Sequence, residues 1–424
     1  MHIDKNRLEE LNKERLLKHQ RLLELSTAYL EGLGINIEDL VKALQAFQVA
    51  IPSWALGTGG TRFGRFAGGG EPRDLQEKIA DVGVLHALNQ SSGAISLHIP
   101  WDVPSDFQAI KELARSYDLV FDAVNSNTFQ DQAGQSLSYK FGSLSHTSAD
   151  VRVQAIEHNL EVIKIGEQLG SKALTVWLAD GSSFPGQHSF RTAFENTLDS
   201  LQSIYKHLPA EWSVLIEYKP YEPNFYSMVI PDWGTSHLLA SKLGPKASCL
   251  VDLGHHLPNT NIEQVVAILM MEGKLGGFHF NDSKYGDDDL TVGALKPYQL
   301  FLIFNELVDG MKSTSSHPSW MIDASHNLKD PLEDLLQSVE AILIAYAQAL
   351  LVDRTRLIEA QQANDVVLAQ EVLQEAYRVD VRALVAEARR RVGGALSPLT
   401  AFRTLGIRNA LVKERGSSVT STGL

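Results

Sequence analysis

GGFHFNDSKYGDDD, residues 276–289, is an apolar run that ends in a histidine, an Asn-Asp pair and then three successive aspartates. Phe278 and Phe280 alternate with His279, so a short strand would bury its phenylalanines on one face and turn the imidazole to the other. Three adjacent carboxylates on their own make an ordinary solvated turn, because like charges repel and water screens them. Whether this one is a turn or part of a site depends on how the other strands of the chain end.

Seven further runs resemble it: VAIPSWAL, GAISLHI, YDLVFDAV, KALTVWLA, SVLIEYK, ASCLVDLG and PSWMIDAS, all between residues 49 and 330. Helical patterns such as RVQAIEHNLEVIKIGEQLG and FRTAFENTLDSLQSIYKHL separate most of them. Strands alternating with helices in this way favour parallel pairing through right-handed crossovers. Eight such units predict an α/β fold, a (β/α)8 TIM barrel over residues 49–330. Residues 1–48 carry apolar residues at helical spacing between charges and predict an N-terminal helical arm. Residues 331–424 are helical again and end in a polar tail, predicting a C-terminal helical extension for packing or assembly.

The 424 residues carry a net charge of −13, which opposes nucleic-acid binding, since that rests on Lys and Arg neutralising phosphates. Metal cations or neutral polar ligands fit better. The single cysteine, Cys249, allows neither an intrachain disulfide nor a thiolate metal site. The charged N-terminus lacks an apolar targeting core, and no uncharged stretch approaches a membrane span. These features predict a cytoplasmic protein with no membrane partner.

Active sites of TIM barrels sit at the C-terminal ends of the strands. Strand five ends LIEYKP, with Glu217 and Lys219 two apart and so both facing inward, while Tyr218 points to the helices. Strand six offers Asp252, with His255 and His256 beyond it; strand seven offers His279 and the aspartate loop; strand eight offers Asp323. A single strand-end carboxylate is usually a helix cap or a surface ion pair. Four neighbouring strands bringing anions to one rim would be costly without a cation between them. Carboxylate and imidazole ligands are hard and favour Mn²⁺, Mg²⁺ or Co²⁺. Glu217, Asp252, His279 and Asp323 are assigned to a first ion, and His255, Asp287 and Asp289 to a second. His256 is expected to be a structural hydrogen-bonder, and Asp288 to face solvent.

The segments HIPWD, KFGSLSH, KALTVWLADGSSFPGQ, LIEYKPYEPNFYS, VDLGHH, GFHFNDSKYGDDDL and MIDASHN resemble, in order, those of the bacterial L-rhamnose isomerases of broad substrate range, among the xylose-isomerase-like barrels. The likeness covers at least residues 51–327 and returns as GALSPLTAFR near the C-terminus. It implies a two-metal aldose–ketose isomerase, with Mn²⁺ foremost and L-rhamnose among its sugars. It implies the same division of the seven ligands. It also implies that the loop GTGGTRFGRFAGGGEPR reaches a neighbouring subunit's site, where Phe63, with Phe66 as the alternative, covers the apolar end of the substrate in a homotetramer.

Lys219, His255, Asp323 and His98 are the catalytic candidates. Lys219 would lie on the O1 side of the sugar, though a plain ion pair would also place it there. His98 could hydrogen-bond the ring oxygen, with Asp102 fixing its tautomer, although it could equally be a satisfied core histidine. Trp177 and Trp101 offer flat faces to a sugar, with Trp177 preferred, and rim tryptophans often only pack. The Gly-rich loop lacks the ending of a phosphate-binding P-loop. A sugar 3-epimerase, an endonuclease-type phosphodiesterase and a non-catalytic sugar-binding barrel are the competing readings.

Overall fold

The computed structural model describes residues 1–57, 68–313, 318–324 and 328–417. Eight parallel strands close into a barrel in sequential order: β1 (Ala50–Pro52), β2 (Ala94–Ile99), β3 (Val120–Ser126), β4 (Ala173–Val176), β5 (Ser213–Glu217), β6 (Ala247–Asp252), β7 (Leu275–Phe280) and β8 (Ser319–Ile322), with β8 pairing back to β1. The register sets Asp252 beside His279 and Met321 beside His279. The ligand-type residues of β6, β7 and β8 therefore come to one height on the rim.

Two helices precede the barrel, α1 (Lys5–Gly32) and α2 (Ile37–Ala46). One helix then follows each strand: α3 (Leu75–Asn89), α4 (Phe107–Ser116), α5 (Ala149–Leu169), α6 (Phe190–Tyr205), α7 (Trp233–Leu243), α8 (Ile262–Met271), α9 (Pro297–Ser313) and α10 (Pro331–Leu350). The chain marks most of these starts with a short polar side chain: Asp74, Asp106, Asp232, Asn261 and Asp330 each accept a main-chain N–H of the first turn. Such caps satisfy donors that a helix end would otherwise leave orphaned. Because α10 packs on α9 and α3, the boundary expected at residue 330 falls between the last barrel strand and its own helix.

A small inner layer of Ala123, Ala173, Leu215 and Leu250 fills the barrel. The main core lies between sheet and helices. Phe278 and Phe280 face outward into it, Phe280 stacking on Phe304 of α9 at 5.4 Å between centroids and Phe278 meeting Trp320 at 6.1 Å. His279, between them, is left facing the barrel axis.

The terminal extensions pack on each other. After α10 come α11 (Arg354–Gln362), α12 (Val366–Tyr377), α13 (Arg382–Arg391), α14 (Pro398–Thr404) and α15 (Ile407–Arg415). Asn12 of α1 donates to the Gly394 carbonyl and accepts from Leu396 N–H, and His19 meets Glu387 of α13 at 2.9 Å. On α15, Arg415 forms a buried two-bond pair with Asp81 of α3. Gly70 allows α15 to approach: its φ is +76°, and a Cβ there would lie 2.7 Å from Val412 N. Among the described residues no single helix is long and apolar enough to cross a membrane.

Candidate metal and substrate site

At the C-terminal mouth of the barrel lies a cavity of about 530 Å³, floored by carboxylates and imidazoles and walled by aromatic rings. Glu217, Asp252, His279 and Asp323 each offer one ligand atom, all within 4.8 Å of one another. His279 Nδ1 stands 3.4 Å from Glu217 Oε1, 3.6 Å from Asp252 Oδ2 and 3.4 Å from Asp323 Oδ2. These separations are long for hydrogen bonds, and Asp252 Oδ2, His255 Nδ1 and His279 Nδ1 are buried without a well-formed one. Atoms of this kind, aimed at one point in a dry site, fit a hard divalent ion better than each other.

A second set adjoins the first: Asp252, His255 and Asp287 also bring ligand atoms within 4.8 Å. Asp252 thus serves both, where sequence reasoning gave it to one. Asp289, expected in the second set, lines the cavity but is outside this close group. Its backbone is left-handed, with φ +51°, so the D-x-D run is a turn and not an extended loop, yet the Asp289 carboxyl still meets that of Asp287 in the cavity.

The electrostatics match a site short of positive charge. Burial alone would raise Glu217, yet His279 and His255 hold it down at about 2. Burial alone would lower His279, yet Glu217, Asp252 and Asp323 hold it well above the usual imidazole range; His255 is held up likewise by Asp252 and Asp287. Asp289 is pushed well above the usual carboxylate range by burial and then by the charge of Asp287.

Lys219 is buried, its Nζ 2.5 Å from Asp287 Oδ2, 3.5 Å from Glu222 Oε2 and 5.2 Å from the centroid of the Trp177 ring. Its ion pair is thus with the aspartate loop and not with Glu217 or a strand-six aspartate. His98 lines the cavity with its Nε2 making no hydrogen bond, and burial lowers it to about 4, so the ring is neutral. Asp102 does not orient that ring. Its oxygens accept Ser53 Oγ at 2.5 Å, Lys78 Nζ at 2.7 Å and the main-chain N–H of His98 at 2.9 Å, while the imidazole bonds the Ser126 carbonyl. A carboxylate four residues along is better placed for the turn's N–H than for the ring.

Trp177 lines the cavity with its Nε1 buried and making no hydrogen bond. Trp101 does not line it and instead packs edge-on against His98 at 4.8 Å. His256 bonds the Tyr218 hydroxyl at 2.8 Å behind the sheet, a structural role as expected. Asp288 does not simply face solvent: it is half-buried and accepts the N–H groups of Lys284 and Tyr285, capping the aspartate turn. Phe63 and Phe66 lie outside the described residues.

Sequence reading missed four residues here. Trp54, in a 3-10 turn after β1, donates Nε1 to Asp323 Oδ1 at 2.9 Å and meets His98 edge-on at 5.2 Å. Phe129 packs on Trp177 at 5.0 Å, and Glu222 lines the cavity beside Lys219. Asn281 donates Nδ2 to Asp252 Oδ1 at 2.9 Å and to the Asp323 carbonyl at 3.2 Å. Extending the alternation of β7 by one step beyond His279 and Phe280 would have found Asn281. Trp54, Phe129 and Glu222 lie on turns with no such period.

Fold and floor together define a (β/α)8-barrel protein with a buried carboxylate–imidazole cluster that could hold a metal ion beneath an aromatic-walled cavity. Among curated proteins the chain is 54% identical over 384 residues to a probable sugar isomerase of Rhizobium meliloti (strain 1021), covering 90% of this chain and 89% of that one. It is 53% identical over 396 residues to a probable sugar isomerase of Mesorhizobium japonicum, covering 93% and 92%. The chain belongs to the family of these probable sugar isomerases. No protein-family model matches it. Among solved structures, D-psicose 3-epimerase of Clostridium cellulolyticum H10 superposes with a TM-score of 0.52 at 12% identity, over 70% of this chain and 98% of that one. An L-ribulose 3-epimerase superposes with 0.51 at 13%, over 75% and 98%, and these two show the shared barrel.

Proposed function

We propose that the protein is a metal-dependent aldose–ketose isomerase of the L-rhamnose isomerase type, acting on L-rhamnose and other unphosphorylated aldoses. The observation that carries this is the floor of the cavity, where two ligand sets share Asp252 directly beneath a wall fit for a sugar's C–H face. Membership of a family whose named members are probable sugar isomerases supports it.

The four residues of the first set and His255, Asp287 and Asp289 would hold two divalent ions, Mn²⁺ foremost. When bound, such ions neutralise the charge that develops on O1 and O2 as hydrogen moves between the two carbons. Neutral His98, with its Nε2 making no hydrogen bond, can take the proton of the anomeric hydroxyl as the C1–O5 bond breaks and the ring oxygen gains a proton from solvent, so it acts as acceptor and not as donor to the ring oxygen. Lys219, held by Asp287, presents a fixed positive charge on the O1 side. Trp177 offers its ring face and an Nε1 donor to the substrate. His255 and Asp323 hold the floor in place around the reacting edge. In this reading Phe63 of an adjacent subunit closes the apolar end of the site in a cytoplasmic homotetramer.

The test is NMR of a panel of unphosphorylated aldoses incubated with the protein and Mn²⁺. Ketose is the expected product, fastest from L-rhamnose; conversion of added ketoses to 3-epimers without any aldose, or no reaction, would overturn the proposal.

A further inference from the structure

Asp287 divides its two oxygens. Oδ1 faces His255 Nε2 at 3.3 Å, while Oδ2 is taken by the ammonium of Lys219 at 2.5 Å. That ammonium is not a surface cation resting on a convenient carboxylate. Lys219 is only 6% exposed, and its charge is also met by Glu222 Oε2 at 3.5 Å and by the face of Trp177. A buried ammonium held from three sides does not swing away without leaving its own charge unpaired. Any ion seated between Asp252, His255 and Asp287 must therefore share Asp287 with Lys219. It can take one oxygen of Asp287 but not both, and it meets a carboxylate whose charge is already partly neutralised. Among the described residues the first set meets no ammonium or guanidinium: Glu217, Asp252 and Asp323 face His279, Glu217 also faces the imidazole of His255 at 3.2 Å, and Asp323 accepts the neutral indole N–H of Trp54 at 2.9 Å.

We propose that Lys219 is a built-in competitor for the second ion, holding Asp287 Oδ2 so that this ion binds much more weakly and exchanges more readily than the first. The inference rests on the two-ion reading above. It gives the lysine a second role, since the positive charge offered to the substrate also keeps the neighbouring ion site shallow.

Calorimetric titration of the full-length chain with Mn²⁺, with no sugar present, tests this without recourse to turnover. The unaltered chain should show two classes of ion. Lys219→Met should tighten the weaker class about tenfold and leave the tighter class within about twofold, as expected when one adjacent like charge is removed from a partly desolvated ligand. Lys219→Arg, which keeps the charge, should leave the weaker class near that of the unaltered chain. If Lys219→Met does not fold, as judged by circular dichroism, Lys219→Gln serves the same purpose. Two ions with the weaker class unchanged or weakened by Lys219→Met, or both classes tightened equally, would overturn the inference while the two-ion reading stood. Fewer than two ions on the unaltered chain would overturn that reading itself, and the inference with it.

Discussion

Replacing Asn281 by alanine tests whether the ligands are held in place by the groups behind them. Asn281 is 1% exposed and spans two ligand-bearing strands, donating to Asp252 Oδ1 at 2.9 Å and to the carbonyl of Asp323 at 3.2 Å. A hydrogen bond to a charged acceptor contributes about 1.5–3 kcal/mol. Asp252 Oδ1 keeps a second donor, the N–H of Gly254 at 2.7 Å, so the lower part of that range applies. At about 1.4 kcal/mol per tenfold, the tighter Mn²⁺ class should weaken roughly ten- to thirtyfold, in line with the effect of losing an outer-shell partner. Calorimetry with Mn²⁺ measures it. Thermal unfolding in the presence of a chelator separates the loss of ligand orientation from loss of fold, and the melting temperature should fall by a few degrees only. An affinity within twofold of the unaltered chain would refute the reasoning and reduce Asn281 to filler, as would a collapse of the ion-free fold with Mn²⁺ affinity preserved.

Glu217→Gln or Asp323→Asn removes a charge from the first set, and each should abolish turnover and the Mn²⁺-induced rise in melting temperature while the chelated protein melts as before; activity persisting after exhaustive chelation would contradict the site. His98→Asn should slow isomerisation of ring-forming aldoses by about 10²–10⁴, the usual worth of a positioned base, with a much smaller loss on glyceraldehyde, which has no ring to open. Because burial holds His98 at about 4, the rate profile should show no limb from this residue between pH 5 and 8. Glu387 binds the two terminal extensions together: burial opposes its charge, but Arg390, Arg391 and His19 outweigh it and hold the carboxyl at about 2 against an ordinary 4.5. A depressed carboxylate stabilises the fold fully above the ordinary value and loses that contribution as pH falls from about 4.5 towards 2. Melting temperature measured from pH 6 to 3 should therefore fall more steeply for the unaltered chain than for Glu387→Gln.

The local pattern of the chain was enough to read the barrel. Period-two runs such as VDLGHH and GGFHFND, separated by helical periods with Asp and Asn at their starts, admit few architectures. The same alternation put Glu217, His279 and Phe280 on the correct faces, because side-chain direction in a strand depends only on its neighbours along the chain. Where the chain leaves the strand, this rule lapses. Trp54, Phe129 and Glu222 sit on turns whose dihedrals are set by tertiary packing, and no period announces them. Asp102 shows the same limit in reverse: spacing suggested a role in orienting the His98 ring, and a nearer N–H takes the carboxylate instead. The sharing of Asp252 between two ligand sets, and of Asp287 between His255 and Lys219, depends on strands β5 to β7 closing side by side. Sequence by itself determined which strand residues face the barrel's mouth. Which of them meet was decided by the closed sheet, because distances of a few ångströms between residues tens of positions apart are fixed by strand register and loop path and by nothing local.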